Sequence, residues 1–78
     1  MTTLVLWGPA REAAGVRRDA FDAATVGELM ASAVARYGGD FARVLASCQI
    51  WLNGDEASND SAVGPDDEVA VLPPISGG

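Results

Sequence analysis

The chain has 78 residues, of which 49% are hydrophobic and 21% are charged, and its formal net charge is −6. A chain of this length forms one domain, with room for a two-layer core but not for a deep substrate cleft as well. It contains no histidine or lysine, and Cys48 is its one cysteine. These counts exclude the commonest general base, a nucleophilic lysine and a His/Cys metal cluster. We therefore do not expect an enzyme that works by its own side chains, or a bound metal.

The acidic charge also bears on partners and location. It repels nucleic acid and anionic lipid, so we expect neither nucleic acid nor membrane as a partner. It would speed encounter with a basic protein, or it serves only to keep a small protein soluble. The residues after Met1 lack the basic stretch of a secretory signal, and the apolar run Leu4–Trp7 is too short to span a bilayer. A cytoplasmic location is the expectation.

The first third of the chain predicts one clear strand and one weaker strand. The run Leu4–Trp7 is apolar and is closed by Gly8-Pro9, which is typical of a buried strand. Arg11–Gly15 is predicted as a turn or one short helical stretch. Val16–Asp22 is predicted to pair back as a second strand, although its alternation of polar and apolar residues is poor.

The middle of the chain predicts two helices. Thr25 and Glu28 form a capping box at the start of the first. Its apolar side chains recur at helical spacing on one face: Val26, Leu29, Met30, Ala33, Val34 and Tyr37. Gly38-Gly39 predicts its end, and Asp40 is predicted to cap a shorter second helix. The apolar stripe of that second helix is Phe41, Val44, Leu45 and Cys48.

The last third of the chain predicts a hairpin and a final strand. Gln49–Leu52 runs into Asn53-Gly54, the strongest short-range hairpin signal. The residues Gly64-Pro65-Asp66-Asp67 predict a turn. Glu68–Leu72 is the predicted last strand, which Pro73-Pro74 ends by removing backbone donors.

This order of elements predicts an α+β fold. One main helix and a short second helix would pack on a mixed sheet of about four to five strands. We expect residues 1–72 to form the domain and residues 73–78 to form a flexible C-terminal tail. If the first and last strands pair at the centre of the sheet, the tail leaves directly from the rigid body.

The tail ends in Gly77-Gly78. Its two prolines favour polyproline II geometry, and six extended residues reach roughly 20 Å, enough to enter another protein. Two glycines present the terminal carboxylate on a backbone without side chains, which suits a narrow channel. The alternative is a frayed terminus without a role.

The ending Leu72-Pro73-Pro74-Ile75-Ser76-Gly77-Gly78 resembles that of the molybdopterin synthase small subunit, the MoaD family of sulfur carriers. Arg11-Glu12 with Gly15 resembles the family's Arg-Glu-x-x-Gly segment. The Asn53-Gly54 hairpin and the Gly-Pro-Asp-Asp turn also lie where the family has them. Gly8-Pro9 is a departure, because family members more often have Phe or Tyr followed by Ala at this point.

The resemblance implies a ubiquitin-like β-grasp fold and a reaction cycle at the C-terminus. A ubiquitin-activating-type enzyme would use ATP to adenylate Gly78, and a persulfide donor would convert the adenylate to a thiocarboxylate. The molybdopterin synthase large subunit would then receive the tail, through Gly77, Ser76, Ile75, Pro74 and Pro73. The sulfur would attack cyclic pyranopterin monophosphate to build the dithiolene of molybdopterin. The carrier would hold no cofactor stably, and the partner would supply the acid–base groups.

Large apolar side chains are expected to mark the docking surface. Because strand residues alternate faces, either Leu6 or Trp7, and either Trp51 or Leu52, must face away from the helix. An uncovered apolar sheet face usually marks a docking site. We predict that Leu72, with Trp51 or a neighbour, anchors the partner beside the exit of the tail.

Two further residues have competing interpretations. Arg11 is predicted either to lie in a surface turn or ion pair with Glu12, or to contact a partner. Cys48 is predicted to be a small buried hydrophobe, with a persulfide role as the alternative.

Three other functions remain open from the sequence. The chain would be a sulfur carrier for thiamin or cysteine biosynthesis, a ubiquitin-like modifier conjugated to lysines through Gly78, or a noncovalent binding module. Because the chain has no lysine, a modifier of this sequence would not build chains on itself.

Overall fold

A computed structural model of the protein describes residues 1–74, which form five strands and three helices. The strands are β1 (Thr2–Leu6), β2 (Arg18–Phe21), β3 (Gln49–Leu52), β4 (Asp55–Glu56) and β5 (Glu68–Leu72). The helices are α1 (Gly8–Ala14), α2 (Val26–Tyr37) and α3 (Gly39–Leu45).

The sheet has the order β2-β1-β5-β3-β4. Its central strands β1 and β5 are parallel, and the other neighbours are antiparallel. The mixed sheet with the first and last strands at its centre is a ubiquitin-like β-grasp, so the predicted fold class is confirmed. The predicted strands are confirmed as well, with β1 beginning and ending slightly earlier than the apolar run suggested.

The core lies between one face of the sheet and the helices. Leu4 and Leu6 of β1 alternate with residues of the opposite face, as Val69 and Val71 of β5 do, and all four are fully buried. Leu29 of α2 and Phe41 of α3 cover them, which confirms the predicted apolar faces of both helices. Burying each side chain of this kind contributes about 1.5–3 kcal/mol relative to leaving it in water.

Helix α2 begins with the predicted capping box. The Glu28 N–H donates to Thr25 Oγ1 at 3.2 Å, and the Ala24 N–H donates to Glu28 Oε1 at 3.1 Å. The return bond therefore reaches the residue before the cap rather than the cap itself. Both bonds satisfy backbone donors that the first helical turn leaves free.

The predicted cap of the second helix is wrong. Gly38 is the N-cap of α3 and caps it without a side-chain hydrogen bond, while Asp40 lies inside the first turn. The φ of +103° at Gly38, which side-chain-bearing residues rarely adopt, lets α3 begin directly after α2 ends. Asp40 is thus past the capping position, and its carboxylate pairs with Arg43 at 3.4 Å instead.

Helix α1 is longer than the predicted short helical stretch. It begins at Gly8, whose φ is +56°, and Pro9 occupies its first turn, where a missing N–H costs nothing. Gly15, in the left-handed conformation, ends it. Within residues 1–74, every helix is too short to cross a bilayer.

Candidate functional site

The tail leaves the domain from the central strand of the sheet. Leu72 is the last residue of β5, and the exposed Pro73 and Pro74 follow it. Pro73 lies against the start of α1, since a Cβ atom on Gly8 would be 3.4 Å from Pro73 Cγ. The predicted tail residues Ile75, Ser76, Gly77 and Gly78 lie outside the described residues.

The face of the sheet opposite the helices carries a group of apolar side chains, which we call the open face. Its apolar members are Val5, Trp7, Trp51, Ala70 and Leu72, of which Val5 is itself buried. The indole of Trp7 is the most exposed of them, with 45% of the residue accessible to solvent. A sheet face of this kind is typical of a protein interface.

The two predicted docking residues on strands lie together on the open face. Leu72 is the cross-strand partner of Gln49, and Trp51 follows Gln49 by two residues on the same face of β3. The Trp51 Nε1–H donates to Gln49 Oε1 at 3.2 Å, which orients the indole beside the exit of the tail. Both side chains are half-buried, so each retains apolar surface for a partner.

Trp7 is the residue of this surface that sequence reasoning did not assign to docking. The alternation of strand residues required Leu6 or Trp7 to face outward, and the structure buries Leu6 completely. The Trp7 N–H donates to the Val71 carbonyl at 3.1 Å, which extends the β1–β5 pairing by one residue. Trp7 therefore lies next to Leu72 on the open face.

Arg11 lies elsewhere. It is on α1, which packs against α3 in the helical layer, and its side chain is exposed. Glu12 beside it is also exposed, and within residues 1–74 the two form no ion pair. The contact of Arg11 with a partner stays a prediction.

Cys48 packs against the hydrophobic core. It is half-buried against the core, and its thiol donates to the Val44 carbonyl at 3.2 Å. Burial raises the pKa of the Cys48 thiol, which lowers the fraction of reactive thiolate at neutral pH. In the part of the chain that the structure describes, no three Cys, Asp or Glu side chains are grouped to hold a metal ion.

A family model, that of the ThiS family, matches residues 4–78. The chain belongs to the ThiS family. It is therefore a ubiquitin-like protein of the sulfur-carrier type, and its C-terminal segment lies inside the matched range. No curated protein matches the chain.

Solved structures that resemble this ThiS-family chain come from several organisms. SAMP1 from Haloferax volcanii is 30% identical, with a TM-score of 0.79 over 99% of this chain and 98% of that one. A chain of the complex of subunits 1 and 2 of the molybdopterin-converting factor from Helicobacter pylori is 23% identical, with a TM-score of 0.72 over 99% and 97%. A chain of the BexX/CysO complex from Amycolatopsis orientalis is 20% identical, with a TM-score of 0.82 over the full length of both. The last two show the shared fold.

Proposed function

We propose that this ThiS-family chain is the sulfur carrier subunit of molybdopterin synthase and donates sulfur through a thiocarboxylate at Gly78. One observation carries the proposal: the ending Leu72-Pro73-Pro74-Ile75-Ser76-Gly77-Gly78 continues directly from the central strand β5. A terminus that leaves the middle of a rigid sheet can be presented to a partner while the domain stays folded. The lead-in of leucine and two prolines favours the molybdopterin branch of the family.

The proposed cycle begins with activation of the terminal carboxylate. A carboxylate is a poor electrophile, so a ubiquitin-activating-type enzyme would use ATP to convert it to a mixed anhydride with AMP. The outer sulfur of a persulfide donor would then attack the Gly78 acyl carbon and release AMP, which gives an acyl disulfide. A thiol would reduce this acyl disulfide, leaving the thiocarboxylate on Gly78 and a disulfide on the donor. ATP belongs to the activating enzyme in this scheme, and the carrier holds no cofactor.

The transfer step would take place in the large subunit of the synthase. The thiocarboxylate sulfur would attack cyclic pyranopterin monophosphate, and two carriers would supply the two sulfurs of the dithiolene. Because the chain contains no histidine or lysine, the partner would supply the groups that move protons.

The open face would dock on the large subunit and on the activating enzyme. Trp51 and Leu72 lie at the tail exit, and Trp7 adds the largest exposed apolar surface beside them. Aromatic and aliphatic side chains in such a patch commonly supply most of an interface's binding energy. Docking there would aim the tail into the partner's active site.

The test is the intact mass of the untagged protein after incubation with ATP, a sulfur donor and a cognate adenylating enzyme. A gain equal to sulfur replacing oxygen, localised to Gly78, is the expected result, and the Gly78 deletion variant is the control. Addition of the large subunit and cyclic pyranopterin monophosphate should then yield molybdopterin. Thiocarboxylate without molybdopterin would point to the thiamin or cysteine branch, and no mass gain would contradict a sulfur carrier.

A second candidate function is protein modification. The relative that is 30% identical is SAMP1, described as small archaeal modifier protein 1. In this alternative, Gly78 would form isopeptide bonds with lysines of target proteins. Conjugates of high mass in cell lysate that contain the Gly78 remnant on lysine would favour it. Their absence, with thiocarboxylate present, would favour the sulfur carrier.

A further inference from the structure

A single row of cross-strand neighbours spans all five strands on the open face. Val5 is paired with Arg18 on β2 and with Ala70 on β5. Trp51 is paired with Ala70 and with Glu56 on β4. From β2 to β4 the row therefore has a basic end, an apolar middle and an acidic end.

This row is complementary to itself under a twofold rotation. A second copy can be placed face to face by a twofold rotation about an axis that runs parallel to the strands, midway between the two sheets and above β5. This rotation reverses the strand order, so that β2 lies over β4. The rotation keeps each residue at the same level along the strands. Arg18 then meets Glu56 of the second copy, and Ala70 meets Ala70. Trp51 lies over the position of Val5, whose side chain is already buried within its own copy. A twofold interface requires self-complementarity of this kind.

The next row on the open face fits the same axis. Leu72 lies on β5 and therefore meets Leu72 of the second copy, while Trp7 on β1 meets Gln49 on β3. The large indoles thus lie opposite smaller side chains rather than opposite each other. Two aligned sheets pack about 10 Å apart, with their side chains interdigitating across the interface.

We propose that two copies of this chain associate through their open faces about this axis. The geometry places each Arg18 beside Glu56 of the other copy, so that two ion pairs flank the centre of the interface. Glu68, the open-face residue of β5 two positions before Ala70, faces Glu68 of the other copy across the axis, and this contact opposes association. Arg18 already contacts Glu68 at 3.4 Å, but 66% of its side chain is exposed. A guanidinium has five N–H donors, so Arg18 can bind both carboxylates.

The dimer is weak and depends on concentration. The five strands are two to five residues long, so at about 3.3 Å per residue and about 4.8 Å between strands they cover roughly 300 Å² per copy. A standard stable interface buries about 800 Å² per partner. Each copy also carries a net charge of −6, which opposes association. That repulsion is screened beyond about 8 Å at physiological salt, whereas the Arg18–Glu56 contacts are short-ranged.

The dimer would cover Trp51 and Leu72, so it would exclude a partner from the same surface. This consequence rests on the proposed function, because it needs the open face to dock the synthase or the activating enzyme. The dimer itself does not rest on it. The mass measurement at Gly78 and the measurement of oligomeric state can therefore fail separately.

The test is sedimentation equilibrium of the full, untagged chain from about 10 µM to about 1 mM. The average mass is expected to rise toward twice the chain mass of 8.0 kDa. Arg18→Glu and Glu56→Arg should each raise the dimer Kd about tenfold, because the symmetry changes two contacts at once. The double variant Arg18→Glu/Glu56→Arg exchanges the charges and should restore the Kd to within about twofold.

Two control variants change the net charge equally but lie away from the open face. Arg43→Glu is on α3, and Asp60→Arg is in the loop that contacts the start of α2 through Asn59. Both should change the Kd by less than about twofold, because they alter only the screened long-range repulsion between copies. Because Arg18→Glu also faces Glu68, its fold is checked by circular dichroism, and Glu56→Arg tests the interface without that contact.

Two results would overturn the proposal. One is a single-chain mass over the whole concentration range, which would leave the open face to a different protein. The other is a dimer whose Kd ignores both charge changes, which would place the contact on another surface.

Discussion

Asn53 and Asp67 are joined by a hydrogen bond of 2.9 Å, from Asn53 Nδ2 to Asp67 Oδ1, although they lie in two different turns. Asn53 Oδ1 accepts from the Glu68 N–H, also at 2.9 Å. Asp67 Oδ2 in turn accepts from the Gly64 N–H at 2.8 Å. This network ties the β3–β4 hairpin to the start of β5, and it therefore holds the strand from which the tail leaves.

The first prediction concerns Asn53. Its backbone is left-handed, with a φ of +51°, and its side chain makes two hydrogen bonds. Replacement by alanine removes both bonds and strains the turn, so we expect Asn53→Ala to lower the free energy of unfolding by about 1–3 kcal/mol. Urea denaturation measures this change in the free energy of unfolding. The control is Asn59→Ala, because Asn59 uses its backbone carbonyl to bond Gly27. Equal losses in the two variants would contradict the role given to the network.

The second prediction concerns the stability of the fold at acidic pH. The hydrogen bond from the Tyr37 hydroxyl to Asp19, at 2.6 Å, lowers the pKa of Asp19 most, with further contributions from the Ala20 N–H and Arg36. A carboxylate whose pKa is lowered in the folded state stabilises the fold when the pH is above the unfolded-state pKa, which is about 3.9 for aspartate. That contribution is lost as the pH falls below this value and through the folded-state pKa.

Tyr37→Phe tests this because it removes the hydroxyl alone. At pH 7 we expect it to cost about 1–3 kcal/mol of unfolding free energy, since the lost bond is to a charged group. The difference from the wild type should begin to shrink as the pH falls below about 4, because the unfolded chain then takes up a proton that folded Asp19 still lacks. Denaturant unfolding from pH 7 to pH 3 measures the loss of stability at neutral pH and its change with pH. A difference that does not change with pH would contradict the assignment to Asp19.

Alkaline pH should also weaken the wild type through Tyr37. Burial, followed by the hydrogen bond to Asp19, raises the pKa of the Tyr37 hydroxyl. The unfolded chain loses this proton near pH 10, so the contribution is present below that pH and is lost as the pH rises further. Tyr37→Phe should lack this alkaline loss.

The third prediction separates binding from stability on one strand. Val71 is fully buried, whereas its neighbour Leu72 is on the open face. Val71→Ala should cost about 2–3 kcal/mol of unfolding free energy, because it leaves a cavity in the core. Leu72→Ala and Trp51→Ala should instead weaken binding to the synthase large subunit by about tenfold or more. Calorimetry measures the affinities. If both open-face variants bind like the wild type, docking on this surface is wrong.

The fourth prediction concerns the C-terminus. Deletion of Gly78, or a tag fused after it, should abolish sulfur loading, because the reacting carboxylate is removed or displaced. Thermal stability should stay close to that of the wild type, since the buried core is drawn from Thr2 to Val71. Gly77→Val should act similarly by hindering entry of the tail into a narrow channel. A tagged chain that still supports molybdopterin synthesis would contradict the mechanism.

Local patterns predicted much of this fold. The Thr25–Glu28 capping box, the Asn53-Gly54 hairpin and the turn that ends at Asp67 all depend on residues within a few positions of one another. The local sequence alone therefore predicts these three features. The wrong cap at Asp40 has the same origin in reverse, because an aspartate is a good cap only where the chain enters the helix at that residue.

Long-range features were decided by packing. The choice of Trp7 over Leu6 as the outward residue depends on which face of β1 meets Leu29 and Phe41, and period-two alternation cannot distinguish the two faces. The hydrogen bond between Asn53 and Asp67, and that between Tyr37 and Asp19, join residues that pair only once the sheet order is set.

The proposal of chemistry at Gly78 comes from the residues alone, since Gly77-Gly78 follows two prolines in a chain without histidine or lysine. These are properties of composition and of the chain end, which folding does not alter. Packing fixes where Pro73 and Pro74 leave the domain, at the end of the central strand β5 and beside Trp7, Trp51 and Leu72. Strand order and the facing of side chains arise from burial across the whole domain, so no local window of the sequence contains them.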